Sequence, residues 1–256
     1  AAVYFSATLS PSLYYATLLG EQEKAKRIAL PSIFSTDQYA LIIHEGISTR
    51  WQHRAASALQ IVNAIYHSVI PKPGNYIVFF PSYRYMETCA ELFRRHYPAI
   101  PLHVQGAAMT PQERQAFLER FETFGEMQLH FCVLGGMFAE GIDFSGERLI
   151  GTIIIGVGLP MINPESDFVK EHFDAQGKPG YHFAYTFPGM NKVLQAMGRV
   201  IRTKKDSGII VLIDDRYLTP LYRSLFPPHY RHALCVRDNL RLETLIRAFW
   251  QKRSEQ

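Results

Sequence analysis

The residues best suited to bind a ligand or take part in a reaction are two arginines and a glutamine that lie close together in the sequence. Residues 195 to 202 read Gln-Ala-Met-Gly-Arg-Val-Ile-Arg. On a helix, Gln195, Arg199 and Arg202 fall at positions i, i+4 and i+7, so the spacing predicts one shared face. Two guanidinium groups and a carboxamide on one face can bind an anion with several oxygens, such as a phosphate chain. The alternative is a surface helix whose arginines are simply solvated.

A glycine, Gly198, lies between the two arginines. Within a helix, glycine costs about 1 kcal/mol relative to alanine. We interpret this cost as a sign that a ligand approaches the backbone there, and we include Gly198 in a candidate nucleotide site.

A glycine-rich segment follows the apolar run at 129–134 and reads Gly-Gly-Met-Phe-Ala-Glu-Gly-Ile-Asp-Phe. Three glycines and two acids suit a loop whose backbone approaches a ligand. Asp143 could accept hydrogen bonds from ribose hydroxyls, and Glu140, next to Gly141, could order a nearby arginine. The alternative is a tight turn with its acids facing water. A complete GxxxxGK[ST] phosphate-binding loop is absent from the chain.

Candidate nucleic-acid contacts follow the apolar run at 76–80, where the chain reads Pro-Ser-Tyr-Arg. Ser82 can cap a helix whose N-terminus would bind a phosphate, with Tyr83 and Arg84 beside it, or it can be a plain helix cap. Further basic and aromatic residues could line a nucleic-acid track or form an ordinary solvated surface. They are Arg50, Trp51, Arg54, Tyr85, Arg94 and Arg95.

Two further polar groups follow apolar runs. Asp214 and Asp215 could hold a metal, but a helix cap with a local ion pair to Arg216 is the favoured interpretation. Ser6 and Thr8 could hydrogen-bond between two lobes. We predict no metal site, because the ten histidines and three cysteines have no metal-binding spacing.

The composition is that of a globular domain, with 256 residues, 47% hydrophobic and 20% charged. A net charge of +4 is compatible with a polyanionic partner but is only weak evidence for one. No apolar stretch is long enough to span a bilayer, and no signal-peptide pattern is present, so no membrane partner is expected. Few and widely spaced cysteines fit a reducing compartment, so we expect a cytoplasmic location.

The elements that must position these residues alternate along the chain. Apolar runs predict strands at 3–5, 40–43, 76–80, 102–104, 129–134, 152–157 and 209–213. Amphipathic runs predict helices at about 50–69, 84–96, 111–123, 190–203 and 239–252, with start signals at Thr110-Pro111 and Asn163-Pro164. This order predicts an α/β fold with a doubly wound, mainly parallel sheet and helices on both faces. Residues 158–190 are predicted to be an irregular connection.

The order of the motifs carries a family resemblance. The segments at 6–9, 76–83, 136–144 and 195–202 resemble motifs III, IV, V and VI of superfamily 2 helicases. The Glu-Gly-Ile-Asp-Phe form of motif V and the later Asp206-Ser207-Gly208 resemble the Rad3/XPD/DinG group. The resemblance implies the second of two RecA-like lobes, with residues 1–20 as the junction to the first lobe and 21–256 as the helicase C-terminal domain. Because the chain opens without methionine in strand-like sequence, we expect a fragment of a longer protein.

The resemblance implies roles for the candidate residues. Arg199 and Arg202 would reach the γ-phosphate of ATP across the cleft, one of them as an arginine finger, and Gln195 would position the nucleotide or the attacking water. Glu140, Gly141 and Asp143 would connect the nucleotide site to the DNA track. Ser82 would contact a DNA phosphate, and Ser6 and Thr8 would couple the lobes.

The resemblance also implies ligands and partners. ATP and Mg²⁺ would be bound mainly by the first lobe, and an iron–sulfur module, where one exists, would belong there too. The partners would be single-stranded DNA, forked duplex and the first lobe of the same chain, in a monomer acting in DNA repair or replication in the bacterial cytoplasm or nucleoid. The alternative is a non-catalytic nucleic-acid-binding or protein-interaction module with the same fold.

Overall fold

The central element of the structure, a computed structural model that describes residues 2–6, 8–20, 26–138, 144 and 146–255, is a seven-stranded sheet. Every neighbouring pair of strands is parallel, and the order across the sheet is β3-β4-β2-β5-β6-β1-β7. The strands are β1 (Tyr39–His44), β2 (Asn75–Phe80), β3 (Leu102–Val104), β4 (Gln128–Val133), β5 (Gly151–Ile155), β6 (Gly208–Ile213) and β7 (Leu234–Val236).

Helices cover both faces of this sheet. They are α1 (Ser12–Leu18), α2 (Arg54–Val69), α3 (Tyr83–His96), α4 (Pro111–Glu119), α5 (Pro164–Ala175), α6 (Phe187–Met197), α7 (Pro220–Leu225) and α8 (Asn239–Ser254). The predicted doubly wound α/β fold is therefore confirmed.

The core has two layers because successive side chains of a strand point to opposite faces. Ile42 of β1 packs among α2, α3 and α8 with residues such as Ile61, Phe93 and Trp250. Its neighbour Leu41 faces the other layer, which includes Val193 and other residues of α6. Strands buried on both sides need apolar residues at nearly every position, as the predicted runs have.

Both marked helix starts are confirmed. Thr110 and Glu113 form a capping box at α4, with the Glu113 backbone N–H donating to the Thr110 Oγ1 at 3.2 Å. Asn163 Oδ1 accepts from the Ser166 backbone N–H at 2.8 Å at the start of α5.

Three sequence predictions about the elements are wrong, and one strand is missing from them. The chain has no strand at 3–5, where Val3 and Phe5 are 84% and 91% exposed. Residues 158–190 are more regular than predicted, because they contain α5, a π-helical turn (His182–Thr186) and the start of α6. The helix expected at 190–203 ends at Met197, and the short edge strand β7 was not predicted.

Within the described ranges, no helix combines the length and the apolar character needed to cross a membrane.

Candidate functional site

The candidate residues lie at two opposite edges of the sheet. We name the edge where the parallel strands end the carboxyl edge, and the edge where they begin the amino edge. Ser82 follows β2 and Asp214 follows β6, so both lie at the carboxyl edge. The segment from Arg199 to Asp206 leads from the end of α6 to the start of β6 and lies at the amino edge.

The residues Gln195, Arg199 and Arg202 do not share one helix face. After Met197 the chain leaves the helix, and the Arg199 backbone N–H donates to the Ala196 carbonyl at 3.3 Å in a tighter, final turn. Arg202 lies beyond this turn, outside any helix. Gln195 and Arg202 are exposed, whereas Arg199 is only 6% exposed. The predicted i, i+4, i+7 stripe is therefore wrong, although the three residues remain at the same end of α6.

The turn that carries Arg202 is organised by Asp206. The Asp206 carboxylate accepts hydrogen bonds from the backbone N–H groups of Arg202 at 2.7 Å and Thr203 at 2.6 Å. The Thr203 hydroxyl donates at 2.8 Å, and the Gly146 N–H, just before β5, donates at 3.3 Å. Burial opposes ionisation of this 5%-exposed side chain, but these hydrogen bonds outweigh it and hold the pKa of Asp206 below its usual range.

The second anchor of this turn comes from the chain just before β1. The Gln38 side-chain amide donates to the carbonyl oxygens of Thr203 and Asp206, both at 3.0 Å. Gln38 is itself fixed in a capping box with Ser35. The backbone around Arg202 is thus held from the starts of β1 and β5, so its exposed guanidinium projects from a fixed base.

The prediction that Gly198 lies inside a helix is wrong. Gly198 caps the C-terminus of α6 with a φ of −68°, a conformation open to any residue, so it is not an interior helix position. A Cβ added there would lie 3.5 Å from the Leu194 carbonyl oxygen, an ordinary contact. Packing within the chain therefore does not require glycine at this position, and a role for Gly198 in nucleotide binding stays a prediction.

A different glycine on α6 is required by packing. A Cβ on Gly189 would lie 2.9 Å from both the Val157 carbonyl oxygen and the Gly158 carbonyl carbon. The first turn of α6 thus packs directly on the backbone that follows β5, which fixes the direction in which the helix runs to the amino edge.

Glu140, Gly141 and Asp143 lie outside the described residues. The connection to which they belong starts at the carboxyl edge, after β4, and ends at the amino edge, before β5. On either side of them, Phe138 stacks on Phe117 at 4.4 Å between ring centroids, and Phe144 packs on Phe121 at 4.5 Å.

Ser82 begins α3 at the carboxyl edge as predicted. Its hydroxyl accepts from the Tyr85 backbone N–H at 3.4 Å. The Tyr83 hydroxyl accepts from the Gln105 amide at 2.8 Å, and Gln105 in turn accepts from the Val133 N–H at 2.9 Å, so Tyr83 is linked to the ends of β3 and β4. Arg84 is exposed beside them.

The remaining predicted basic and aromatic residues are divided between the two edges. Trp51 and Arg54 stand at the start of α2, and Tyr85 packs on Arg54 from α3, with 5.0 Å between its ring centroid and the guanidinium carbon. Arg94 and Arg95 occupy the last turn of α3. A helix of 14 residues is roughly 20 Å long, so these two arginines are far from Ser82 and do not extend the same track.

Asp214 forms a helix cap and an ion pair, as favoured from the sequence. Its Oδ1 accepts from the Arg216 backbone N–H and from Arg216 Nε, both at 2.8 Å, and its Oδ2 accepts from the Thr49 hydroxyl. Burial opposes ionisation, but Arg216 and Thr49 outweigh it and keep the pKa of Asp214 below its usual range. Asp215 pairs instead with Arg50. These interactions join the ends of β1 and β6.

Ser6 and Thr8 hydrogen-bond to each other, with 3.3 Å between their hydroxyl oxygens. Their predicted role between lobes stays a prediction.

The comparisons with known proteins agree with this arrangement. The sequence profile described as helicase C-terminal domain matches residues 65–233. The chain belongs to this family. A protein named "Probable ATP-dependent helicase" from Methanocaldococcus jannaschii is 27% identical to this helicase C-terminal domain over 235 residues, 84% of this chain and 34% of the relative. The XPD/RAD3 helicase subunit of general transcription and DNA repair factor IIH from Saccharomyces cerevisiae is 30% identical over 156 residues, 57% of this chain and 20% of that protein. The resemblance to the Rad3/XPD group is therefore confirmed.

Solved structures show the same fold. An apo structure of XPD aligns with a TM-score of 0.65 at 19% identity, over 90% of this helicase C-terminal domain and 47% of that chain. The C-terminal domain of the DEAD-box protein Dbp5 aligns with a TM-score of 0.50 at 11% identity, over 84% of this chain and 99% of that one. The chain spans 34% or less of the length of the curated relatives named here.

Two residues that matter for the site were missed as site residues from the sequence. In the sequence, Asp206 belongs only to the segment that carries the family resemblance, and Thr49 belongs to no motif. The Thr203-Lys204-Lys205-Asp206 spacing was a usable signal for Asp206, because Thr and Asp commonly close short loops onto backbone N–H groups. Thr49 had no such signal, because its partner Asp214 is 165 residues away.

Proposed function

We propose that this helicase C-terminal domain is the second motor lobe of an ATP-dependent DNA helicase, which couples ATP hydrolysis to movement on single-stranded DNA and unwinding of duplex. It acts with a first lobe that supplies the phosphate-binding loop, since the GxxxxGK[ST] pattern is absent from this chain. We propose that it works as a monomer on forked DNA, in repair or replication in the bacterial cytoplasm or nucleoid.

The observation that carries this proposal is the exposed Arg202 on a turn fixed by the buried Asp206. An arginine that stabilises charge on a transferring phosphoryl group must reach outward while its backbone stays in place. Arg202 meets both conditions, whereas the side chain of Arg199 is buried within the domain. We therefore propose Arg202 as the arginine finger and Arg199 as the guanidinium behind it, with the exposed Gln195 orienting the nucleotide or the attacking water.

ATP and Mg²⁺ are proposed to bind mainly to the first lobe. A guanidinium suits the phosphate oxygens of ATP, whereas the described residues of this chain include no group of three or more His, Cys, Asp or Glu that could hold a metal ion. The chain also has only three cysteines, too few for a four-cysteine iron–sulfur module.

The DNA strand is proposed to cross the carboxyl edge. The N-termini of α2 and α3 both lie there, packed against each other through Ser57 and Tyr85, whose side-chain oxygens are 3.4 Å apart. Two helix N-termini side by side favour phosphate groups, and Ser82 and Arg84 add polar contacts. Glu140, Gly141 and Asp143 are proposed to link DNA binding to the nucleotide. Ser6 and Thr8 are proposed to couple the two lobes.

The test uses the longer protein that contains this domain and the preceding lobe. Arg202→Ala is expected to lower DNA-stimulated ATP hydrolysis by about 10³-fold or more, because such an arginine is worth about 10³–10⁵ in phosphoryl transfer. Arg202→Lys restores the charge without the bidentate geometry and should recover little of the activity. Arg114→Ala, at an exposed position on α4, is the matched control.

Three results would contradict the proposal. Wild-type ATP turnover in the Arg202→Ala protein would show that Arg202 is not the arginine finger. Robust ATP hydrolysis by the 256-residue chain alone would contradict the assignment of lobes, because the phosphate-binding loop is absent from it. ATP hydrolysis without strand displacement on a forked substrate would indicate a translocase that moves along DNA without unwinding it.

A further inference from the structure

Trp51 is an unusually exposed tryptophan. Its side chain is 73% exposed, whereas the other tryptophan of the chain, Trp250, is 6% exposed. Trp51 begins the short 3₁₀ turn (Trp51–His53) that leads into α2 at the carboxyl edge. A large aromatic side chain left in water forgoes the free energy that burial would provide, so a ligand that covers it gains that free energy instead.

The exposed indole is held in place from behind. The guanidinium carbon of Arg54 lies 5.3 Å from the Trp51 ring centroid and 5.0 Å from that of Tyr85. Arg54 Nε donates to the Thr49 carbonyl at 3.3 Å, and Tyr85 is buried. Arg54 therefore links the exposed ring of Trp51 to a fixed ring beneath it.

The backbone that carries Trp51 is also fixed. The His53 N–H donates to the Arg50 carbonyl at 2.8 Å, and His53 Nδ1 lies 2.9 Å from the Ser48 hydroxyl. Arg50 pairs with Asp215 after β6. The indole is thus positioned before any ligand binds, which lowers the entropy cost of binding.

The charge around Trp51 fits a polyanion. The three arginines Arg50, Arg54 and Arg216 face two aspartates, Asp214 and Asp215, which leaves net positive charge beside the indole. The first turn of α2 adds the positive end of a helix dipole. An aromatic ring beside positive charge is the combination that single-stranded nucleic acids bind, through base stacking and phosphate attraction.

We infer that Trp51 stacks on a base of the single DNA strand that crosses the carboxyl edge, with Arg54 and Tyr85 holding the indole in position. This inference rests on the proposed function. Trp51 would contact a base, whereas Ser82 and Arg84 at the same carboxyl edge are proposed to contact phosphates. Because every base presents a flat face, the contact anchors the strand without selecting a sequence.

The experiment uses the fluorescence of Trp51 in the 256-residue chain carrying Trp250→Phe, so that Trp51 is the only tryptophan. A dye-labelled oligothymidine reports binding by anisotropy at low salt, and an unlabelled one is titrated while Trp51 emission is recorded. Stacking predicts strong quenching of Trp51 that saturates together with the anisotropy signal.

Variants then measure the contribution of the contact. Trp51→Ala is expected to raise Kd by about 5- to 150-fold, because stacking on one base is worth about 1–3 kcal/mol. Trp51→Phe should recover most of the affinity. The slope of log Kd against log salt should stay unchanged in Trp51→Ala but fall by about one in Arg84→Ala, because only the second change removes a charge. Phe168→Ala, which removes a 71%-exposed ring on α5, is the matched control.

The outcomes separate the inference from the proposed function. Anisotropy that saturates without any change in Trp51 emission overturns the inference and leaves DNA binding intact. Wild-type affinity in Trp51→Ala, with unfolding unchanged, also overturns it and assigns the exposed ring to another partner. Failure of the wild-type chain to bind single-stranded DNA at low salt overturns both.

Discussion

Replacing Asp206 with asparagine tests whether this carboxylate holds the turn of Arg202 in place. The carboxylate accepts hydrogen bonds from the backbone N–H groups of Arg202, Thr203 and Gly146 and from the Thr203 hydroxyl. Asparagine keeps one acceptor oxygen and places an NH₂ group at the other, so about two donors lose their partner. Each buried donor left unsatisfied costs about 1–3 kcal/mol. Water beside the exposed Arg202 and Thr203 reduces this cost, so we expect a loss of roughly 2–4 kcal/mol in the free energy of unfolding.

The loss of stability caused by Asp206→Asn should depend on pH in a defined direction. The pKa of Asp206 in the folded domain lies below its ordinary value of 3.8, because the hydrogen bonds to the carboxylate outweigh the opposing effect of burial. The stabilisation is therefore fully present above pH 3.8 and is lost as the pH falls through the lower folded-state value. The gap in stability between the wild type and Asp206→Asn should be full at pH 7 and should narrow below about pH 4.

Urea unfolding followed by circular dichroism measures both quantities. Asp37→Asn is the control, because Asp37 has a 72%-exposed side chain with Lys252 Nζ 4.0 Å away, and its loss should change stability by less than about 0.5 kcal/mol. Equal loss in the two variants, or a gap that stays constant from pH 7 to pH 3, would refute the reasoning. In the longer protein, Asp206→Asn should also lower ATP hydrolysis, since the backbone of Arg202 is no longer fixed.

Three further comparisons follow from the geometry. In urea unfolding, Arg202→Ala should change the free energy of unfolding by less than about 0.5 kcal/mol, because the side chain is exposed. Arg199→Ala should cost more than about 1 kcal/mol, because its side chain is buried. Equal losses would contradict this assignment. Gly189→Ala should lower the free energy of unfolding by about 1–3 kcal/mol, since its Cβ would lie 2.9 Å from backbone atoms. Gly198→Ala should be nearly neutral. A similar cost for both would disprove the packing argument. Asp214→Ala should cost about 3–5 kcal/mol by the same assay, because it leaves the guanidinium of Arg216 without its buried carboxylate, and a loss below about 1 kcal/mol would be inconsistent with that role.

The sheet was predictable because its strands are apolar on both faces. Six of the strands coincide with predicted runs that are mostly apolar, and such runs are visible in the sequence. The edge strand β7 was missed, since it has only three residues and two of them, Leu234 and Cys235, are exposed. The helix α5 was missed for a different reason. It has a local start signal at Asn163-Pro164, but the nearby Gly177, Pro179 and Gly180 are typical of irregular connections.

The candidate site was less predictable than the sheet because its geometry depends on distant contacts. The sequence correctly marked Ser82 as a helix start and Asp214 as a cap with an ion pair, and both signals are local. The position at which α6 ends depends instead on contacts that are distant in the sequence. Asp206 ties the turn to Gly146, 60 residues away, and Gln38 ties it to the chain before β1. Periodicity alone extended the helix to Arg202, because it contains no information about these contacts.

The position of β1 in the sheet has a consequence for the order in which the domain can assemble. The four strands β3, β4, β2 and β5 are neighbours in the sheet and come from one continuous stretch, residues 75–155. They can pair as soon as that stretch has been synthesised. The strand β1 precedes them in the chain, but both of its neighbours, β6 and β7, begin after residue 207.

Closing a loop of about 160 residues between β1 and β6 costs roughly 4–5 kcal/mol of chain entropy beyond a constant term. The first strand of the described domain is therefore among the last to be paired. Helix α8, which packs on the face of β1 that contains Ile42, follows β7 in the chain and so cannot cover that face earlier. Folding of this domain should accordingly be slow and completed from its C-terminal end, as long-range parallel pairing generally is.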